Sequence, residues 1–289
     1  MRPDFAVLIL TNNRPDRIYT LETLKKSGYT GKVYLVIDNE DESAGEYRRR
    51  YGSAVVEFDK AAVAEYTDDG DNFGRRGVLY ARNACFEIAR RVGVKYFMEL
   101  DDDYTSFFLR FDSSLSYGNT PALRSSLDDI LEAMIAFFDK APVATLAMSQ
   151  GGDHIGGISN GKSGPRMRRK AMNAFLCSVD RPFKFIGRMN DDVNTYVTLG
   201  RRGDLFLTVL QIQLVQMQTQ TNAGGLTELY LDFGTYVKSF YSVMYAPSCV
   251  QIGVMGDPRG GRYRIHHKID WPRTAPCILR EEHKRAALP

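Results

Sequence analysis

The sequence lacks most of what would place it in a membrane or outside a cell. Its four cysteines, Cys85, Cys177, Cys249 and Cys277, are widely spaced and form no CxxC pair. That excludes a zinc ribbon and a disulfide scaffold, and predicts buried free thiols in a reducing compartment. No apolar run approaches the ~18 residues of a spanning helix. The longest early run is Phe5 to Leu10, crowded by Asp4 and the polar stretch Asn12 to Asp16, so it is no secretory h-region. A cytoplasmic protein with no membrane partner is expected. Linkers and internal repeats are also missing, so the chain is expected to form one domain over 1–289.

The remaining composition is that of a globular protein, with 44% hydrophobic and 25% charged residues, enough for a large core. The net charge of +3 is unevenly placed. Residues 160–188 hold eight basic side chains against one acid, and residues 259–289 hold eight against three, which leaves the rest of the chain acidic. Two basic segments on an acidic body point to phosphate-bearing partners; solvated loops are the plainer alternative.

The first third reads as alternating strands and helices. Phe5 to Leu10, Lys32 to Asp38, Val55 to Phe58 and Val94 to Leu100 are apolar runs of strand length. Helices are expected from Pro15 to a stop at Gly28, over 40–51 and over 77–92, with a loop over 59–76. Such a start predicts a mostly parallel α/β sheet. Further on, a helix over 126–139 precedes a strand over 143–148. The glycine-rich, basic stretch 150–169 suggests a long mobile loop. Short strands are expected at 174–179 and 183–186, and a helix over 190–199 capped by Asn190. A long strand over 205–220 is expected to bulge at Leu214 and Val215, followed by a kinked helix over 226–245 and a strand over 249–254.

Asp101, Asp102 and Asp103 close a buried strand and are the strongest single feature. Adjacent carboxylates repel, and hard oxygen ligands of this kind suit Mg²⁺ or Mn²⁺ together with a diphosphate. Ligands in open α/β sheets sit beyond the carboxyl ends of strands, where this cluster falls. A solvated acidic turn is the competing reading. The stretch Gly156 to Ser163 matches GxxxxGK[ST], yet the preceding strand ends too early and Gly164-Pro165 weakens a helix start, so a phosphate-cradling loop is disfavoured. A flap whose Arg166, Arg168, Arg169 and Lys170 meet an acceptor or donor phosphate fits better. His266 and His267 are the only histidine pair. Neighbours on a strand point to opposite faces, so at most one is expected to enter a site.

The order of these features resembles the GT-A class of nucleotide-sugar-dependent glycosyltransferases. More narrowly, Leu10-Thr11-Asn12-Asn13-Arg14-Pro15, Gly28-Tyr29-Thr30-Gly31-Lys32, Val36-Ile37-Asp38-Asn39-Glu40-Asp41 and Asn190-Asp191-Asp192-Val193-Asn194 resemble the TET-associated glycosyltransferases, over about Phe5 to Trp271. That resemblance implies a Rossmann-like GT-A sheet with a nucleotide-binding half over 1–104 and an elaborated acceptor half over 105–289. It implies a UDP-sugar donor, Mn²⁺ or Mg²⁺, and a hydroxymethylated pyrimidine in phage DNA, such as 5-hydroxymethylcytosine, as acceptor. By the same resemblance Thr11, Asn13 and Arg14 would line the nucleotide site, Asp38 would face base or ribose, and Arg82 would lie near the donor phosphates. A surface arginine is the alternative for Arg82. Asp101 and Asp102 would contact ribose or sugar, while Asp103 and Asp101, with His266 or His267, would hold the metal. Asp191 or Asp192 would be the base that activates the acceptor, ionised at its helix start; ordinary first-turn acids are the alternative.

Two other classes remain open on these residues: a GT-A enzyme with a glycan, lipid or protein acceptor, and a nucleotide- or nucleic-acid-binding module without transfer chemistry. A pure phosphate binder has no use for three acids beside its ligand.

Overall fold

Near-continuous apolar runs give strands that are buried on both faces. β1 (Phe5–Leu10) is buried along its whole length. β2 (Lys32–Asp38), β3 (Val55–Phe58) and β4 (Tyr96–Asp101) join it in parallel, in the order β3-β2-β1-β4. The structure is a computed structural model and describes residues 1–71, 74–112, 118, 120–151, 165–166, 169–172, 174–217, 236–257 and 262–274. Beyond β4 the sheet continues through β8 (Phe175–Ser178), β6 (Thr145–Ser149), β9 (Phe206–Gln216) and β5 (Tyr104–Leu109). β8 and β5 run antiparallel to their neighbours, whereas β6 and β9 pair in parallel. The two-residue β7 (Pro165–Arg166) also pairs with β9.

Alternation along β1 divides the core into two layers. Phe5, Val7 and Ile9 pack with α5 (Leu127–Lys140) through Leu131, Ile135 and Phe138. Ala6, Leu8 and Leu10 pack with α4 (Leu79–Arg91) through Cys85, Ile88 and Ala89. Each such large aliphatic side chain contributes about 1.5–3 kcal/mol on full burial. The mostly parallel, helix-flanked sheet expected from the sequence is therefore present. α1 (Tyr19–Lys26), α2 (Ala44–Tyr51) and α3 (Lys60–Ala64) complete the first half. The second half adds α6 (Asp191–Gly200), α7 (Val237–Tyr245), an antiparallel hairpin of β10 (Val250–Asp257) and β11 (Arg262–Ile269), and the single turn α8 (Trp271–Thr274). Cys85, Cys177 and Cys249 are buried free thiols.

Several local expectations are corrected. The stretch 59–76 contains α3, started by Asp59, whose carboxylate accepts the Ala62 N–H at 3.0 Å. No strand forms at 183–186. There Phe185 N–H donates to Asn83 Oδ1 at 2.8 Å and Ile186 N–H to Thr195 Oγ1 at 2.9 Å, so side chains replace a strand partner. α1 starts at Tyr19 rather than Pro15, because the chain first makes a separate turn, Arg17 N–H donating to Arg14 O at 3.1 Å while Arg14 N–H donates to Tyr47 Oη at 2.9 Å. α2 starts at Ala44 because Asp41 turns the chain, accepting from Ser43 N–H and Asn13 N–H at 2.8 and 2.9 Å. The expected bulge at Leu214 and Val215 is displaced: β9 shifts register against β6 between Val209 and Gln213, and the irregularity beside Val215 lies on β5, between Tyr104 and Ser106. β5 itself was not foreseen. The expected start of the 226–245 helix, most of the 150–169 loop and Cys277 lie outside the described residues.

Candidate active site

β4 ends at Asp101, opposite Leu10 of β1, and the chain turns through Asp102 and Asp103 into β5. α1 pins this turn. Thr20 N–H donates to Asp102 O at 3.1 Å, and Thr20 Oγ1 donates to Asp101 O at 2.6 Å while accepting Tyr104 N–H at 3.0 Å. The three carboxylates then diverge. Asp101 Oδ1 meets Arg82 Nη2 at 3.2 Å. Asp102 is buried, accepts from Thr11 Oγ1 at 2.7 Å and faces Arg14 Nε at 3.3 Å. Asp103 accepts from Gln216 Nε2 through Oδ2 at 3.2 Å, while its buried Oδ1 has no hydrogen-bond partner. Burial pushes Asp102 up to about 6. Burial, then the charges of Asp101 and Asp102, push Asp103 up to about 7.

Arg82 is the hub of the site. It is neither exposed nor in the cleft lining but 2% accessible on α4. Its Nε lies 2.9 Å from Asp191 Oδ2, its Nη2 3.2 Å from Asp101 Oδ1 and its Nη1 3.5 Å from Glu99 Oε2. The rings of Phe175 and Phe185 flank the guanidinium at 5.1 and 5.6 Å. Strand alternation explains the meeting, since Glu99 and Asp101 of β4 share the face turned to α4. Glu99 is fully buried, and desolvation pushes it up to about 8 despite Arg82. It went unnoticed in the sequence, where an acid inside Tyr96-Phe-Met-Glu-Leu100 was the available signal.

Asp191 and Asp192 open α6 and are both buried. The helix start was expected to keep its acid ionised. Burial instead raises both carboxyls, against the pull of Arg82, because desolvation outweighs a helix terminus. Asp192 Oδ1 accepts the Val193 N–H at 2.7 Å. Asn190 does not cap the helix with its side chain. Its Nδ2 instead donates to Lys238 O at 3.0 Å and Ser242 Oγ at 3.1 Å and lies 3.3 Å from His267 Nδ1.

A cleft of about 470 Å³ opens at the carboxyl ends of β1, β2 and β3. Thr11, Asn13, Arg14 and Asp38 line it, so these four predicted residues are gathered on one surface. Asp38 faces Lys60 Nζ at 3.2 Å and accepts Glu40 N–H at 3.0 Å. Lys60 and Arg76 also line the cleft and were missed in the sequence. The helix signal Asp59-Lys60-Ala61-Ala62 would have found Lys60.

His266 and His267 do not separate as strand alternation predicts. Their rings lie 4.1 Å apart, and Lys170 Nζ is 3.3 Å from His266 Nε2 and 2.9 Å from His267 Nε2. Burial, then the Lys170 charge, lower His267 to about 3. Among the described residues, no three His, Cys, Asp or Glu side chains form a metal-binding group, so the structure does not join this pair to the carboxylates. Asp103 Oδ1, buried without a hydrogen-bond partner, is the oxygen that a divalent ion would fit, whereas Asp101 Oδ1 is engaged by Arg82. Arg166 lies in β7, Arg169 is described beside Lys170, and Arg168 and residues 156–163 lie outside the described residues. No described helix is long and apolar enough to cross a membrane.

The model of the TET-associated glycosyltransferase family matches residues 5–225. None of the curated proteins matches the sequence. Among solved structures, TarS 1-349 of S. aureus is 13% identical over 83% of this chain and 64% of its own, with a TM-score of 0.41. The mannosyltransferase PcManGT of Pyrobaculum calidifontis, in complex with GDP-Man and Mn²⁺, is 12% identical over 85% and 63%, with a TM-score of 0.47. Glucosyl-3-phosphoglycerate synthase of Mycobacterium tuberculosis, in complex with Mn²⁺ and UDP-glucose, is 11% identical over 92% and 87%, with a TM-score of 0.48. The chain thus spans less than two thirds of the first two.

Proposed function

The chain belongs to the TET-associated glycosyltransferase family, and from that premise we propose that it moves a sugar from a UDP-sugar to a hydroxymethylated pyrimidine in DNA by a single inverting displacement. One domain of GT-A type does this, with residues 1–104 as the donor half and 105–289 as the acceptor half. The observation that carries the reading is the gathering of Asp101 and Asp191 on the buried guanidinium of Arg82, next to the cleft.

In this reading Thr11, Asn13 and Asp38 hold the nucleoside, with Arg14, Lys60 and Arg76 available to the diphosphate. Asp103 and Asp101 would hold Mn²⁺ or Mg²⁺, which supplies positive charge to the departing diphosphate. The acceptor oxygen bonds to the anomeric carbon as the bond to UDP breaks, and its proton passes to the carboxylate of Asp191. A carboxyl raised towards neutrality by burial is a stronger base than one at its ordinary value. Arg82 positions that base relative to Asp101. Arg166, Arg168, Arg169 and Lys170 meet DNA phosphates, and the target base must leave its stack to reach the carboxylates.

The test is a mass measurement. DNA containing 5-hydroxymethylcytosine is incubated with the protein, Mn²⁺ and a panel of nucleotide sugars, then digested to nucleosides. A hexose-sized gain on the modified nucleoside is expected. Sugar transfer to a glycan, lipid or protein with none to DNA would overturn the acceptor; no donor use at all would overturn the chemistry.

A further inference from the structure

α2 and the turn that leads into it grip the loop after β1. Asp41 Oδ2 accepts the Asn13 N–H at 2.9 Å, where Asn13 takes the left-handed φ of +54° that an asparagine tolerates. Tyr47 Oη accepts the Arg14 N–H at 2.9 Å, and Tyr51 Oη donates to Pro15 O at 2.7 Å. Three successive residues of the loop are thus fastened. Tyr47 is fully buried, while Arg48, Arg49 and Arg50 beside it are exposed. It stands behind the cleft and does not line it.

Tyr47 Oη also lies 2.8 Å from Thr11 Oγ1, which in turn donates to Asp102 Oδ2 at 2.7 Å. Counting hydrogens fixes the direction of this chain. Thr11 has one hydroxyl hydrogen and gives it to Asp102, so the hydrogen between the two hydroxyls is that of Tyr47. Burial pushes the Tyr47 phenol up to about 12, so it keeps that hydrogen at neutral pH. Arg14 N–H, Tyr47 and Thr11 therefore donate in a single sense towards Asp102, each bond polarising the next. Arg14 Nε closes the ring, 3.3 Å from the same Asp102 Oδ2. One phenol holds Arg14 at both ends, its backbone directly and its guanidinium through Thr11 and Asp102.

The pair with Asp102 uses Nε, the inner nitrogen, and leaves the two outer nitrogens to an anion in the cleft that Arg14 lines. A long side chain fixed before its ligand arrives loses less freedom on binding. We propose that Tyr47 is a positioning residue for the donor, its hydroxyl presetting the Arg14 guanidinium for the diphosphate. This rests on the nucleoside diphosphate donor proposed above. Uridine, which lacks the diphosphate, does not draw on the arrangement.

The test compares the affinities of UDP and uridine for the full chain in the presence of Mn²⁺, by calorimetry for UDP and ligand-observed NMR for uridine. Tyr47→Phe removes one oxygen and keeps the ring that fills the core. UDP affinity is expected to fall about tenfold, and uridine affinity to stay within about twofold of wild type. Uridine controls for a loosened fold, since a disordered loop would weaken both ligands alike. In an Arg14→Ala background, adding Tyr47→Phe should lower UDP affinity by less than about twofold, because the group it positions is gone. Equal losses for UDP and uridine would make Tyr47 merely structural and overturn the proposal. UDP affinity unchanged in Tyr47→Phe, or a loss of about tenfold persisting in the Arg14→Ala background, would overturn it while leaving the donor reading standing. A wild-type chain that binds no UDP overturns both together.

Discussion

Replacing Arg82 with glutamine removes the only cation among the described residues that pairs with Glu99, Asp101 and Asp191, at 3.5, 3.2 and 2.9 Å. Glutamine keeps part of the volume but leaves buried carboxylates without a counter-charge. Truncating one member of a buried ion pair costs about 3–5 kcal/mol, and losing the contacts with Phe175 and Phe185 adds about 1 kcal/mol. About 4–6 kcal/mol is therefore expected at pH 8, or roughly 10–20 °C in Tm for a chain of this size. The loss should depend on pH in a fixed direction. Glu99 is held at about 8 in the folded protein, above its ordinary 4.5, and Asp101 and Asp191 are also raised. Carboxyls raised on folding stabilise most below their unfolded values, and that stability drains away as pH climbs through the folded ones. Removing Arg82 raises all three further, so the variant's deficit should be small at pH 5 and full at pH 8. Urea unfolding followed by circular dichroism at both pH values measures it. A deficit below about 1 kcal/mol at pH 8, or an equal one at pH 5, would refute the idea that one guanidinium balances this cluster.

Three further outcomes are expected. Asp103→Ala should abolish Mn²⁺-dependent UDP binding in calorimetry, and unchanged, metal-independent affinity would remove Asp103 from the donor site. Asp191→Asn should lower turnover about 10²–10⁴-fold with UDP binding intact, Asp192→Asn should do less, and an α-linked donor should give a β-linked product by NMR; a retained anomer, or normal turnover in both variants, refutes the single displacement. Gly70→Ala should cost about 1–3 kcal/mol, because Gly70 has φ +78° and a Cβ there would stand 2.6 Å from Tyr245 Oη; a stability change within error in urea unfolding would show that Tyr245 gives way.

The sequence by itself determined the alternation of buried strands and helices through β4, the carboxylate turn at its end, and the acids that open α6. Those features are local. Apolar runs specify strands, and a triple aspartate ends one, whatever lies elsewhere in the chain. The residues gathered on the cleft, Thr11, Asn13, Arg14 and Asp38, were named by the family resemblance, and they meet because loops at the carboxyl ends of parallel strands converge on one edge. Arg82 was visible as a charged residue, but its partners come from β4 and α6, and periodicity cannot say which element a helix face meets. Glu99 was hidden for the same reason. Only the packing of α4 on the sheet decided that an arginine would be buried among three acids. Tertiary structure also reversed two electrostatic expectations. Desolvation overrode the helix start at Asp191, and the fold brought both histidines onto Lys170, where strand alternation alone would send them apart. Charge state and partner choice depend on what surrounds a side chain in three dimensions, and the chain brings that surrounding from segments on average far apart in sequence.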